Sequence, residues 1–192
     1  MPNRRRFASL AITVLALLLI AGCSIKVDES KDEKGDKKSS KVDISTPLGS
    51  LKVREDVDPR DTGLAVMANA RRVRENGNDP HSAMVSIDTD FFGLKVVAAS
   101  FESDEAPGKV LEFYRGELGK YGKVVECHGG FKDDNNMRSA DLECDKSKRR
   151  GDKIELGVGG EGLRRIVAVE PRGDGSKFAL VYISTRGEGD TL

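Results

Sequence analysis

The sequence predicts an α+β fold: a mostly antiparallel β-sheet with one main helix, at about residues 106–121, packed on one face. Three observations support this prediction. Short runs of alternating or β-branched apolar residues recur between turn-forming clusters along residues 42–187. One segment has the three-to-four-residue apolar spacing of a helix, with start and stop signals at its ends. The length of 192 residues fits a single domain.

The chain begins with an export signal. Three arginines at positions 4–6 precede an uncharged run of about fourteen residues, shorter than the roughly 20 that span a bilayer, and small residues follow it. The four residues that end at Cys23 (IAGC) are similar to the lipobox of bacterial lipoprotein signals. That resemblance implies cleavage before Cys23 and attachment of diacylglycerol and a further acyl chain, such as palmitate. We therefore expect residues 1–22 to be a signal peptide; the alternative is an uncleaved anchor.

The signal also favours a route and a destination. The arginines and the phenylalanine after them resemble the core of a twin-arginine signal, but Ala8 and Ser9 do not continue that pattern, so we expect the general secretory route. In lipoproteins of diderm bacteria, an acidic residue just after the cysteine tends to retain the protein at the inner membrane. This chain has Ser24 there. We expect a lipid-anchored envelope protein, at the outer membrane facing the periplasm if the cell has one.

Residues 23–41 predict a lipidated cysteine followed by a disordered, charged tether. From Lys26 to Lys41 nearly every residue is charged, serine or glycine, and none is aromatic. Such a stretch buries too little apolar surface to offset its ordering entropy. Its expected reach is on the order of 23 Å. A charge-coded docking segment is the alternative. The folded domain is predicted to cover residues 42–187, with a flexible tail at 188–192.

Two similar twelve-residue segments lie early in the predicted domain. VDISTPLGSLKV (residues 42–53) and VSIDTDFFGLKV (residues 85–96) share six identities without a gap. Alternation on both sides of a turn in the first segment predicts a hairpin. The similarity predicts two equivalent hairpins in one sheet, or else reflects chance composition. Between them we expect a turn and then a short strand from Ala70.

The clearest helix covers about residues 106–121. Ser103 or Asp104 is placed to cap it, Pro107 suits its first turn, and Gly122 is placed to end it. Its apolar residues recur at intervals of three and four, so they share one face, which we expect to cover the sheet. These residues are Val110, Leu111, Tyr114, Leu118 and Tyr121.

Residues 96–122 carry a resemblance to known sequences. This segment resembles one that recurs in small bacterial lipoproteins and secreted proteins of unknown function. The resemblance covers a strand, the acidic turn ESDE at 102–105 and the sequence KVLEFYRGELGKYG. In many of these a Tyr-Pro-Gly-Ala turn comes first; here residues 67–70 read MANA, which predicts loss of that turn. The resemblance implies a fold and an envelope address, and it implies no activity.

The part of the chain after the helix reads as strands and contains two cysteines. With Cys23 acylated, Cys127 and Cys144 form an even pair in an oxidising compartment. They lie near facing positions of two predicted strands, so we expect a structural disulfide. A redox pair more typically has the Cys-x-x-Cys spacing, which is absent. The predicted strands are 123–127, 139–144, 153–158, 163–169 and 178–185.

Catalytic residues are scarce in this sequence. Only His81 and His128 could serve as an imidazole base. Cys127 and His128 are neighbours on a predicted strand, so their side chains should point to opposite faces. We expect both histidines to be exposed and no residue to be catalytic. The alternative is an envelope hydrolase using carboxylates such as Asp88 and Asp90.

Three further patterns resemble binding motifs. Residues 157–162 match a dinucleotide fingerprint, but a strand and not a helix is predicted after them, so a hairpin turn is expected. Residues 133–136 (DDNN) lack the spacing of a calcium loop and predict a turn. Residues 150–152 and 172–174 both read RGD and are expected to be turns at strand ends. We therefore predict no metal and no cofactor.

Composition limits the possible partners. The chain has 32 basic and 32 acidic residues, and removal of residues 1–22 takes away three arginines and no acid, which leaves a net charge of about −3. Aromatic content is 5% with no tryptophan, which argues against a stacking platform for bases or sugars. We expect no nucleic-acid partner. The predicted protein is a non-catalytic, lipid-anchored module that binds an envelope protein or a small ligand; a purely structural surface lipoprotein is the alternative.

Overall fold

The computed structural model describes residues 23–31, 37–73, 82–132, 142–147, 152–160 and 162–187. The predicted signal peptide at 1–22 and tail at 188–192 lie outside these residues. The elements of the described part are β1 (Ser24–Lys31), β2 (Lys37–Thr46), β3 (Gly49–Glu55), a 3₁₀ turn (Pro59–Thr62), β4 (Arg71–Arg72), β5 (Ser82–Thr89), β6 (Gly93–Ser103), α1 (Pro107–Gly119), β7 (Val125–His128), β8 (Ile154–Gly160), β9 (Leu163–Arg172) and β10 (Gly175–Arg186).

The described strands form one antiparallel sheet. Its order is β1-β2-β3-β5-β6-β10-β9-β8-β7, and the short β4 pairs with β6. The long strand β6 pairs with β10 over its full length, from Gly93 opposite Arg186 to Ser103 opposite Ser176. The prediction of a mostly antiparallel sheet with one helix is confirmed for the residues that the structure describes.

The hydrophobic core joins the helix to strands that precede it and strands that follow it in the chain. Tyr114 of α1 is fully buried, and its ring centroid lies 5.3 Å from that of Phe178 in β10. Phe178 in turn stacks on Phe101 of β6 at 5.4 Å. At about 1.5–3 kcal/mol for each large apolar side chain removed from water, this cluster is the main stabilising feature of the fold. Its other fully buried members are Leu64, Val110, Leu118, Leu156, Val167, Val169 and Leu180.

The ends of the helix differ from the prediction in detail. The N-cap is Ala106, which makes no side-chain capping bond. Ser103 instead accepts a hydrogen bond from the Glu105 amide, one step before the helix begins. Tyr121 lies beyond the last turn and is 44% exposed, so its predicted place on the buried face was wrong. The remaining four residues of the predicted apolar face are buried.

The two similar segments form equivalent hairpins in one sheet. Val42 pairs with Val53 in the first hairpin, and Val85 pairs with Val96 at the same positions of the second. The hairpins lie side by side because Val53 also pairs with Val85 across β3 and β5. The sequence similarity therefore corresponds to a duplicated structural unit.

The prediction of a disordered tether was wrong for the residues that the structure describes. Ser24–Lys31 and Lys37–Thr46 pair as antiparallel strands, so the sheet begins before residue 42. The physical reason is cross-strand matching, which the charge-rich composition conceals. Apolar residues face apolar ones, and charges face opposite charges: Ile25 with Ile44, Val27 with Val42, Lys26 with Asp43, and Asp28 with Lys41.

Most of the later strands match their predictions. β7, β8, β9 and β10 correspond to four of the five predicted segments, with boundaries shifted by a few residues. The exception is the predicted strand at 139–144. Residues 139–141 lie outside the described part, and Cys144 forms only an isolated bridge with Phe131.

A turn is present ahead of β4, although residues 67–70 lack the Tyr-Pro-Gly-Ala sequence. In the MANA segment, Ala70 donates a backbone hydrogen bond to the Met67 carbonyl at 3.1 Å. Asn69 adopts a positive φ of 65°, a conformation that asparagine tolerates better than most residues. Loss of the turn was therefore a wrong expectation, whereas the turn followed by a strand from about Ala70 is confirmed.

Candidate functional site

The predicted cysteine pair forms a disulfide. Cys127 in β7 and Cys144 are bonded, with 5.3 Å between their Cα atoms. Cys127 is only 1% exposed, and Cys144 forms the isolated β-bridge with Phe131. The bond fastens residues 142–147 to the strand at the end of the sheet, which is a structural role.

The candidate catalytic residues do not come together in the described structure. His128 is exposed on β7, with its Nε2 3.7 Å from a Glu126 carboxylate oxygen, and it points away from the buried Cys127. His81 and residues 133–136 lie outside the described residues. Asp88 forms an ion pair with Arg186, and Asp90 is exposed in the β5–β6 turn.

Residues 157–160 of the glycine-rich segment form the end of strand β8, and the RGD at 172–174 lies in a turn, as predicted. The segment at 157–162 ends β8 and leads into β9, so a strand and not a helix follows it. A Cβ at Gly159, where φ is +126°, would lie 2.1 Å from the Leu163 carbonyl oxygen, so this position near the end of β8 requires glycine. The RGD at 172–174 spans the β9–β10 turn. Residues 150 and 151 lie outside the described part.

A polar cleft lies at one end of the sheet. It is bordered by the end of β6, the short β4 and the β9–β10 turn, and its volume is about 270 Å³. Small-molecule sites usually measure about 300–1,000 Å³, so the cleft suits a side chain or a loop of a partner better than a cofactor. Its lining residues are Arg71, Glu102, Ser103, Asp104, Arg172, Asp174, Gly175 and Ser176.

Ion pairs form the rim of the cleft. Arg71 donates two hydrogen bonds to Asp104, at 2.8 and 2.7 Å, and Arg172 pairs with Glu102. The hydrogen bonds from Arg71 hold the pKa of Asp104 below its ordinary value, and Asp104 raises the pKa of Arg71. Both members of the Arg71–Asp104 pair are well exposed, so water screens them and they can exchange partners at little cost.

Two buried serines form the base of the cleft. Ser176 is 1% exposed and donates its hydroxyl hydrogen to the Glu105 carbonyl at 2.7 Å. Ser103 is 4% exposed and accepts from the Glu105 amide at 3.1 Å. Together they hold the start of the helix against β6 and β10. The cleft is thus a hydrogen-bonding surface with exposed charges of both signs.

The cleft could not be predicted from the sequence because its residues come from distant segments. Arg71 and Glu102 face each other across β4 and β6, while Arg172 and Asp174 come from a turn much later in the chain. None of them belongs to a recognisable motif. The acidic ESDE segment at 102–105 supplies two of the lining carboxylates, but its sequence predicts only a turn.

Cys23 lies at the other end of the sheet. It is exposed and directly precedes β1, whose first residue, Ser24, is opposite Ser45 near the β2–β3 turn. Gly49, after that turn, pairs with Thr89 at the β5–β6 turn. β6 leads from the β5–β6 turn to Ser103 at the cleft, so Cys23 and the cleft lie at opposite ends of the sheet.

Comparison with known proteins adds no relative: no protein-family model, curated protein or solved structure matches this chain. Within the described ranges, no helix has the length and apolarity that a membrane crossing requires. The same residues contain no group of three or more histidine, cysteine, aspartate or glutamate side chains arranged to hold a metal ion.

Proposed function

We propose that this chain is a lipid-anchored protein of the bacterial cell envelope that acts as a non-catalytic binding module. The lipid is attached to Cys23, and the polar cleft at Arg71 and Arg172 binds a protein partner. One observation carries the proposal: the exposed Cys23 and the cleft lie at opposite ends of one sheet. An anchor at Cys23 would therefore leave the cleft accessible to another envelope protein.

The size and the lining residues of the cleft favour a protein partner over a small ligand. Its volume of about 270 Å³ is below the usual range for small-molecule sites. Its exposed arginines and carboxylates resemble the polar rim of a transient interface. In this proposal, charged side chains of the partner exchange with the Arg71–Asp104 and Arg172–Glu102 pairs.

The proposal follows the resemblance to small bacterial lipoproteins and places the protein at the outer membrane if the cell has one, since Ser24 follows Cys23. We also propose that α1 covers one face of the sheet, as the sequence predicts. The contacts of α1 with β8, β9 and β10, and the shared buried cluster, support that arrangement.

The absence of catalysis is part of the proposal. The alternative hydrolase would need two carboxylates facing each other in a cleft. Asp88 is instead engaged by Arg186, and Asp90 is exposed in a turn. No feature of the described residues favours the hydrolase over the binding module.

Native mass spectrometry of the full-length protein, extracted from its own membrane in mild detergent, tests the anchor. Added acyl mass on a chain that begins at Cys23 is the expected result. An unlipidated chain would contradict it.

Photo-crosslinking in intact cells tests the binding surface. A photoreactive residue at Asp174, in the cleft, should capture one defined partner, and one at the exposed Glu112 of α1 should not. Arg172→Ala should reduce the Asp174 crosslink several-fold while leaving the amount of protein unchanged. Equal crosslinking from both positions, or no effect of Arg172→Ala, would contradict a partner site in the cleft.

A further inference from the structure

The end of the sheet that holds Cys23 also exposes a group of large apolar side chains. Leu48 in the β2–β3 turn is 80% exposed, and Phe91 and Phe92 in the β5–β6 turn are 68% and 43% exposed. Leu163, after the β8–β9 turn, is 39% exposed. Exposed apolar residues are usually scattered singly over a soluble surface, so a group of turns at one end calls for an explanation.

The strand register places these turns next to one another. Gly49, which follows Leu48, pairs with Thr89, which precedes the turn of Phe91 and Phe92. Neighbouring strands lie about 4.8 Å apart, so the two turns are adjacent. The β8–β9 turn lies at the same end, because the Thr185 amide donates to the Gly162 carbonyl near the end of β10.

The apolar turn residues are a repeated feature of the duplicated hairpins. Leu48 and Phe91 occupy the same position of the twelve-residue segments. In each turn a threonine fixes the backbone: Thr46 donates its hydroxyl hydrogen to the Gly49 carbonyl at 3.1 Å, and Thr89 donates to the Phe92 carbonyl at 2.8 Å. Both turns thus hold a large apolar side chain outward in the same manner.

The charged groups beside the β5–β6 turn do not favour an anionic surface. Asp90 is exposed next to Phe91, and Asp88 is paired with Arg186. Attraction of basic residues to anionic headgroups would need a cluster of lysines and arginines. The contact made by Leu48, Phe91 and Phe92 would therefore be apolar and insensitive to the charge of the surface.

We propose that this end of the sheet inserts into a lipid bilayer, with Leu48, Phe91 and Phe92 in the interfacial region of the membrane. We infer a bilayer as the partner of these turns because Cys23 lies beside the β2–β3 turn. This inference rests on the lipid anchor of the proposed function. Acyl chains on Cys23 bring the bilayer to this end, and the apolar faces of interfacial helices show that such groups reach about 5–10 Å into the headgroup and acyl boundary. The turns then fix the orientation of the domain and direct the cleft away from the membrane.

Tryptophan fluorescence in vesicles tests this orientation, because the chain has no tryptophan of its own. The full chain with Phe91→Trp is purified from its membrane and reconstituted into phosphatidylcholine vesicles whose acyl chains carry bromine, a contact quencher. Asp174→Trp, exposed at the cleft end, is the matched control. Circular dichroism shows that both variants fold.

We expect Phe91→Trp to lose about half of its emission to the brominated lipid, and Asp174→Trp to lose little, as interfacial burial of one end alone requires. Adding anionic lipid should not change the result. Additional Leu48→Ser and Phe92→Ser substitutions should reduce the quenching of Phe91→Trp.

Equal quenching at both positions with acyl chains present on Cys23 would overturn the insertion of the turns and leave the anchor standing. A blue-shifted Phe91→Trp emission that brominated lipid does not quench would place protein, such as a second copy of this chain, over the turns, and would also overturn the proposal. Mass spectrometry of the same samples separates the two proposals, since an unacylated Cys23 would overturn the anchor and this inference with it.

Discussion

Thr46 and Thr89 make the same hydrogen bond in two neighbouring turns: each donates its hydroxyl hydrogen to the carbonyl of the third residue after it. The second partner of each hydroxyl differs slightly. Thr46 accepts from the Leu48 amide, and Thr89 accepts from the Phe92 amide. Threonine thus occupies a turn position in both segments, where its hydroxyl adds hydrogen bonds to the backbone. The duplicated segments share a local mechanism as well as a strand register.

The adjacency of the two hairpins makes Gly49 a sensitive position. A Cβ there would lie 2.4 Å from the Asp88 carbonyl oxygen, and φ is +149°. We predict that Gly49→Ala lowers the free energy of unfolding by more than about 1 kcal/mol, because the clash is with backbone. Gly116→Ala in α1 is the control: nothing lies within 4 Å of its Cβ, and it should stabilise the protein by up to about 1 kcal/mol. Urea denaturation measures both; a neutral Gly49→Ala would contradict the β3–β5 register.

The disulfide between Cys127 and Cys144 should contribute strongly to stability. It closes a loop with a sequence separation of 17 residues, and removing it by the double change Cys127→Ala and Cys144→Ala should cost about 3 kcal/mol in the chain-entropy model. A reductant acting on the unaltered protein is the control and should give a similar loss in urea denaturation. An unchanged unfolding midpoint in reductant would show that the two thiols are not bridged.

Tyr114 is expected to stabilise the core mainly through its ring. The ring is fully buried against Phe178, and its hydroxyl oxygen accepts a hydrogen bond from the Met67 amide at 3.3 Å. Burial raises the pKa of this phenol, so it stays protonated across the physiological range. Tyr114→Phe should cost about 1 kcal/mol, the usual value for one hydrogen bond. Tyr114→Ala should cost about 3–5 kcal/mol, as for other buried aromatic residues.

Equilibrium unfolding in urea measures both substitutions at Tyr114. Glu112→Ala, on the exposed side of α1, should stay within about 0.5 kcal/mol of the unaltered protein. Equal losses for Tyr114→Phe and Tyr114→Ala would assign the stabilisation to the hydroxyl, against the packing argument.

Asp58 should titrate well below an ordinary aspartate. Its side-chain hydrogen bonds with Arg60, and a further bond from the Arg60 amide, lower its pKa from 3.8 to about 2. Because the pKa in the folded state is depressed, the stabilisation is complete above pH 3.8 and is lost as the pH falls through about 2. NMR titration of the carboxyl carbon should show this shift, and Arg60→Ala should return much of it. A normal pKa in the unaltered protein would contradict the cap of the 3₁₀ turn.

The helix and the twin hairpins could be predicted because their signals are local. The spacing of Val110, Tyr114 and Leu118 depends only on the helical repeat, and the similarity between the two hairpin segments is visible as written. The prediction that Tyr121 is buried was wrong because apolar periodicity does not indicate where the last helical turn ends. Its hydroxyl instead bonds the Gly63 carbonyl, and its ring lies 3.8 Å from the Arg165 guanidinium carbon.

The strand pairing of the charged segment could not be predicted from composition. Ile25 and Val27 are isolated among charges, and both remain more than half exposed even in the sheet. Only the register, with Lys26 opposite Asp43 and Asp28 opposite Lys41, shows how opposite charges and apolar residues are matched. Pairing between strands is a property of two segments, whereas composition describes one.

The sequence by itself determined the features that follow from neighbouring residues: the helix, the hairpins, the turn glycines and the pairing of the two cysteines expected in an oxidising compartment. It also carries the predicted export signal and acylation site at Cys23. Tertiary structure alone decided which segments meet: the polar cleft of Arg71, Glu102 and Arg172, and the group of exposed turns beside Cys23. The reason is that strand order and register are set by packing and pairing across the whole sheet, which no single stretch of sequence encodes.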